Sequence, residues 1–170
     1  MRKNYLLPVL LTVALNIIPD RLSKFLAALY LPGRPPIRFP GDLMVIQYAE
    51  NTGAFLSMGT NWPPVLKYTV LLILPIIICV GVLLYAAFRE QDKIKAILMA
   101  CFAAGGLGNL IDRLFNNFSV VDFLNFGIGP LRTGILNIAD LSITFAAVIY
   151  IIYEFRSNKK KPADEGQTPN

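Results

Sequence analysis

Asp122 and Asp140 are the two residues of this chain best suited to chemistry. Neither has a basic neighbour in sequence, and Asp140 stands between Ala139 and Leu141 in an otherwise apolar run. A lone carboxylate there is expensive, and sharing a proton with a second carboxyl relieves the cost. Two carboxyls close together do not both ionise easily, so one is held protonated while the other stays charged. Such a pair activates water and donates a proton to a leaving group, which is hydrolysis with no metal or organic cofactor. The pattern leaves open a second arrangement, in which each Asp is separately hydrogen-bonded as a cap of its own element.

Composition removes most rival chemistries. There is no His among the 170 residues, which excludes Ser-His and Cys-His nucleophiles and His-ligated metals. Cys79 and Cys101 are isolated in apolar stretches and read as small apolar filler, neither a zinc site nor a disulfide framework. The net charge of +5 comes from short basic clusters beside hydrophobic runs, a pattern that sets membrane topology and does not suit nucleic acid. Only 16% of residues are charged and 55% are hydrophobic. A soluble domain carries about a quarter charged residues, so the solvent to be read for is a membrane.

The apolar runs predict four helical spans, about 5–29, 67–88, 94–115 and 136–156, in a single membrane-embedded domain over 1–158. The segment 159–170 reads as a basic, disordered tail. Pro75 falls inside the second span and is expected to kink it. Arg2, Lys3, Arg89, Lys93, Lys95, Arg156, Lys159, Lys160 and Lys161 place nine basic residues on one side, against Arg34, Arg38, Lys67 and Arg132 on the other. The positive-inside rule then puts both termini in the cytoplasm. The outer segments, 30–66 and 116–135, contain Leu43–Tyr48 and Val120–Phe123, which read as strands of a small extracytoplasmic sheet on the bilayer edge.

This topology gathers the polar residues at one interface. Asp20 and Lys24 end the first span, Asn109, Asp112 and Arg113 the third, and Asn137 and Asp140 begin the fourth, with Asn51 and Asp122 in the outer segments. Spacings of three and four put Asn109, Asp112 and Arg113 on one helical face, and Asn137 with Asp140 on another. Asp20–Lys24 and Asp112–Arg113 also fit pairs that neutralise partly buried charge, and Asp112 is read as structural. The run Ala103–Asn109 is crowded with small residues, which suits close helix packing. Its glycines would also leave room for an extended substrate backbone. A small proton-coupled transporter would need acids through the whole bilayer, yet the cytoplasmic halves of spans two, three and four lack ionisable residues. A non-catalytic membrane interaction protein would explain the glycines but not the converging acids.

Five blocks in order resemble the lipoprotein signal peptidase (signal peptidase II) family. They are Asp20-Arg21-Leu22-Ser23-Lys24, Glu50-Asn51-Thr52-Gly53-Ala54-Phe55, Gly105 to Arg113, Val120-Val121-Asp122-Phe123, and Asn137-Ile138-Ala139-Asp140. Their order and approximate spacing carry the resemblance over about residues 5 to 155. The resemblance implies a four-helix bacterial membrane aspartic endopeptidase with a small extracytoplasmic β-cradle, cutting the signal peptide from diacylglyceryl-modified prolipoproteins just before the lipidated cysteine. By position, Asp122 and Asp140 match the family's catalytic pair. Asp20, Asn51, Gly53, Asn109, Arg113, Asn137 and Ala139 match its orienting or substrate-contacting positions. The resemblance also implies inhibition by globomycin-like cyclic peptides. The chain departs from the pattern at Arg21, where the family usually has Gln, and at Glu50, where it usually has Tyr. It also has one Ala instead of two before Phe55.

Overall fold

The computed structural model describes residues 4–54 and 58–159. Arg2, Lys3, Phe55 and the tail from Lys160 onward lie outside the described residues. Among the described residues four helices are long and apolar enough to cross a bilayer: α1 Leu6–Tyr30, α2 Pro64–Phe88, α3 Lys93–Phe115 and α4 Ile138–Lys159. A four-stranded antiparallel sheet, β1 Ile37–Arg38, β2 Met44–Asn51, β3 Val120–Ile128 and β4 Leu131–Leu136, runs in the order β1-β2-β3-β4.

The bundle is apolar on its outside and small or polar within. Leu7, Leu15, Ile18 and Phe25 of α1 are exposed, as are Ile77 and Ile78 of α2 and Phe145 and Ile151 of α4. Ala96, Ala100, Ala103, Ala104, Gly105 and Gly108 of α3 are buried. Hydrocarbon is no worse a solvent for leucine than another helix, so packing in a membrane falls to small residues that let backbones approach. The central helix α3 is therefore the one rich in Ala and Gly. A Cβ on Gly105 would meet the Ala139 carbonyl oxygen at 2.5 Å, and one on Gly106 would meet Cys79 Sγ at 2.7 Å. The glycine run is thus filled by its partner helices and leaves no slot there for a substrate backbone.

Pro75 has its effect one turn early. Thr69–Ile73 form a π-helical turn in which the Leu74 N–H reaches the Thr69 carbonyl. The wider turn accommodates a residue with no N–H to continue the ladder. The α2 helix also starts earlier than its hydropathy suggests, because Pro64 stands at its first position, where no donor is required. The fourth span starts later: Leu136 closes β4 and Asn137 precedes the helix.

One end of the bundle is tied by the Tyr5 N–H to the Ala87 carbonyl (2.9 Å), the Tyr5 hydroxyl to the Gln91 carbonyl (3.0 Å) and the Tyr153 hydroxyl to Asp92 (2.7 Å). The sheet sits at the other end. There Val121, Phe123 and Leu124 pack with Ala27 of α1.

Candidate active site

Sheet register decides what faces Asp122. Ile46 pairs with Leu124 and Ala49 with Asp122, so β2 spends three steps where β3 spends two. This bulge at Gln47 and Tyr48 flips the following residues to the other face. Ala49 and Asn51 therefore share a face with Asp122, while Glu50 turns away and accepts from the Tyr48 hydroxyl at 2.7 Å. Burial and the Glu50 carboxylate push the Tyr48 hydroxyl up to about 12, so it remains a donor.

A tight reversal delivers β3 from α3. Asn117 and Phe118 both adopt left-handed backbone, at φ 46° and 64°. Phe118 is held against Tyr68 with ring centroids 4.7 Å apart. The turn brings the Val121 N–H to Asp112 Oδ2 at 3.3 Å, which fixes the strand one residue before Asp122.

Asn137 joins the two aspartates. Its Nδ2 donates to Asp122 Oδ1 at 2.6 Å and its backbone N–H to Asp140 Oδ2 at 3.1 Å. Its Oδ1 accepts from the Asp140 N–H at 3.0 Å. The two Asn137–Asp140 bonds form a reciprocal cap at the start of α4. Asn137 has no exposed surface. Asp140 Oδ1 accepts from Asn109 Nδ2 at 2.8 Å, and Asp122 Oδ2 from Asn51 Nδ2 at 3.3 Å. Asn51 Oδ1 in turn accepts from the Gly53 N–H at 2.9 Å. Burial, then the neighbouring Asp140 charge, push the Asp122 carboxyl up to about 6, against the opposing bonds from Asn137 and Asn51. Both carboxyls open onto one cavity of about 400 Å³, with Asn51, Asn109, Arg113 and Val120 on its walls. Arg113 Nη2 donates to the Gly53 carbonyl at 2.7 Å, and its Nε is buried with no partner among the described residues.

Asp20 stands behind this site. Its Oδ1 accepts from the Ala139 N–H at 3.0 Å, anchoring the first turn of α4 to α1. Its Oδ2 pairs with Arg21 at 2.9 Å and Lys24 at 3.1 Å. Asp112 pairs with Arg21 at 2.5 Å and Lys24 at 2.9 Å. The expected Asp112–Arg113 pair does not form, because consecutive helical residues point about 100° apart. Asp112 joins the ion cluster and Arg113 faces the cavity. Arg21, the departure from the family pattern, is a working member of that cluster and also donates to the Gly108 carbonyl at 3.0 Å. Its principal partner is 91 residues away. No local spacing signals it.

The arrangement is two carboxyls at a shared cavity, one of them poised to hold a proton, with an Arg beside them. It can polarise a carbonyl and activate water. A family model described as "Signal peptidase (SPase) II" matches residues 12–156. The lipoprotein signal peptidase of Borrelia duttonii (strain Ly) is 35% identical over 165 residues, covering 94% of this chain and 96% of that protein. The lipoprotein signal peptidase of Treponema denticola is 33% identical over 152 residues, covering 86% and 87%. A solved structure described as a bacterial membrane enzyme, determined by the in meso method at 2.3 Å resolution, superposes with a TM-score of 0.81 at 26% identity. It covers 98% of this chain and 99% of its own.

Proposed function

The chain belongs to the signal peptidase II family, and from that premise we propose that it removes the signal peptide from diacylglyceryl-modified prolipoproteins through the Asp122–Asp140 pair. It is a protease and a multi-pass bacterial membrane protein. The observation that carries the catalytic reading is the shared Asn137, which hydrogen-bonds both aspartates at one cavity wall.

In the proposed reaction one carboxylate takes a proton from water as its oxygen attacks the scissile carbonyl carbon. The other carboxyl, protonated, hydrogen-bonds the carbonyl oxygen as charge develops there. Collapse of the tetrahedral intermediate breaks the C–N bond, and the leaving nitrogen receives a proton. The products are a signal peptide ending in a carboxylate and a lipidated cysteine with a free amine. Arg113 supplies donors toward the substrate backbone or the developing oxyanion. Asn51, Asn109 and Asn137 hold the carboxyls, Asp20 and Ala139 hold the start of α4, and Gly53 ties Arg113 to the loop.

The nine-to-four distribution of basic residues supports cytoplasmic termini and an active site at the extracytoplasmic face. The substrate's apolar signal helix and its acyl chains then reach the site sideways from lipid. The test incubates the purified protein with lipidated and unlipidated prolipoprotein and separates the products by gel. Cleavage of the lipidated form alone, lost in Asp122→Asn, is the expected result. Cleavage of neither form by the folded protein overturns the reading.

A further inference from the structure

We propose that Lys24 is a positioning residue for the proposed cleavage: its ammonium fixes the Asn109 amide so that Asn109 donates to Asp140, and the shared proton of the pair therefore resides on Asp122. The inference rests on the catalytic reading above and adds a residue and a proton assignment to it.

Lys24 is 3% exposed and lies behind the site, out of the cavity. An ammonium has three N–H donors, and three acceptors surround this one. They are Asn109 Oδ1 at 2.8 Å, Asp112 Oδ2 at 2.9 Å and Asp20 Oδ2 at 3.1 Å. Asn109 Oδ1 also accepts from Asn137 Nδ2 at 3.0 Å. With its oxygen so committed, the Asn109 carboxamide must present N–H to Asp140. A cation on an amide oxygen polarises the amide and strengthens the bond its nitrogen donates.

The two carboxyls are consequently unlike. Asp140 receives that polarised N–H and a backbone N–H, and it sits in the first turn of α4, where the helix dipole favours negative charge. Asp122 receives one donor, Asn137 Nδ2, that also serves Asn109 and the Val121 carbonyl, and another from Asn51 at 3.3 Å that also serves the Ala54 carbonyl. Among the described residues Asp122 is held by side-chain amides alone, at 2.6 and 3.3 Å, and stands on a strand away from any helix start, so it keeps the proton, in keeping with its rise to about 6. The other charged groups facing this relay are Asp20 and Arg21 from α1 and Asp112 and Arg113 from α3.

The test compares Lys24→Met with the double variant Asp20→Asn/Lys24→Met, which removes one anion with the cation and keeps an acceptor for the Ala139 N–H. Cleavage of a lipidated prolipoprotein is followed from pH 4 to 9, with Asp122→Asn as the reference for loss of the reaction. We expect kcat to fall between about ten- and a hundredfold with KM within threefold of the parent. The acid limb of the profile should move up by about one pH unit. A double variant that folds and keeps the parent kcat and profile, while Asp122→Asn is dead, overturns the role of Lys24 and leaves the catalytic reading standing. Failure of both Lys24 variants to fold assigns Lys24 to the scaffold and also overturns it. An active Asp122→Asn sinks the catalytic reading instead.

Discussion

Asn51 reaches Asp122 across the sheet, Nδ2 to Oδ2 at 3.3 Å, because the β2 residues Gln47 and Tyr48 bulge between Ile46 and Ala49 and together stand opposite one β3 residue. Had Gln47 and Tyr48 continued the regular two-residue alternation with no bulge, Tyr48 and Glu50 would share the face of Asp122 and Asn51 would turn away. Deleting Gln47 alone should heal the bulge and leave Asn51 opposite Val120, whereas deleting Gln47 and Tyr48 together should set Glu50 opposite Asp122, bringing a third carboxylate to the pair and removing a neutral donor. Like charges oppose ionisation there, so cleavage of lipidated substrate should fall by at least about a hundredfold in protein that still inserts and folds. Parent-level cleavage by the folded two-residue deletion would show that strand register does not set the face.

Glycine packing makes a matched pair of tests. Gly105→Ala places a methyl 2.5 Å from the Ala139 carbonyl, whereas Gly81 on α2 has nothing within 4 Å. Overpacking costs about 1–3 kcal/mol, and Ala is the better helix former by up to about 1 kcal/mol. Thermal unfolding in detergent should show Gly105→Ala lowered and Gly81→Ala equal to or above the parent. Equal midpoints for both variants would remove the close contact between α3 and α4.

Arg113→Ala should cost more cleavage than Arg132→Ala. Arg113 lines the cavity and ties the Gly53 carbonyl, while Arg132 hydrogen-bonds Asn125 and the Asp42 carbonyl within the sheet. Removing Arg132 should be felt in thermal stability. Equal, full cleavage by both folded variants would take Arg113 out of the site.

The sequence makes legible whatever depends on local period or on solvent. Uninterrupted apolar runs mark the helices, and spacings of three and four place Asn109 with Arg113 and Asn137 with Asp140. Two features escape such patterns. Arg21 meets Asp112 from 91 residues away, a pairing that depends on how α1 crosses α3. The bulge at Gln47 and Tyr48 lacks a glycine to announce it, and it alone decides whether Glu50 or Asn51 faces Asp122. Asp112 and Arg113, adjacent in sequence and opposite in charge, invite a pairing that helix geometry forbids.

Asp122 gives the protein an unusual dependence of stability on pH. Its carboxyl titrates at about 6 folded, against 3.8 for an ordinary Asp. Between those values the folded state holds a proton that the unfolded chain has released. Stability from this group is therefore present below about pH 4 and is lost as pH rises through 6, with a total cost of at most about 3 kcal/mol. Asn does not titrate. The gap in thermal midpoint between Asp122→Asn and the parent should widen in favour of the variant from pH 4 to 6 and then level off. A gap that stays constant across that range contradicts the raised carboxyl.

The pair itself is tested by substitution that keeps shape and removes the proton. Asp122→Asn and Asp140→Asn should each abolish cleavage, since loss of one acid or base is worth about 10²–10⁴-fold and here the same pair prepares the nucleophile. Asn137 makes the two residues one unit, so the double variant should be little worse than either single one. Asp112→Asn is the matched comparison. It faces Arg21 and Lys24 on the far side of α3, and its loss should lower stability more than cleavage per folded molecule. Initial rates on a lipidated prolipoprotein, each corrected for folded fraction, decide the matter. If Asp122→Asn or Asp140→Asn cleaves near the parent rate, the carboxyl pair is not the catalyst. A double variant multiplicatively worse than both singles would mean instead that the two carboxyls act independently.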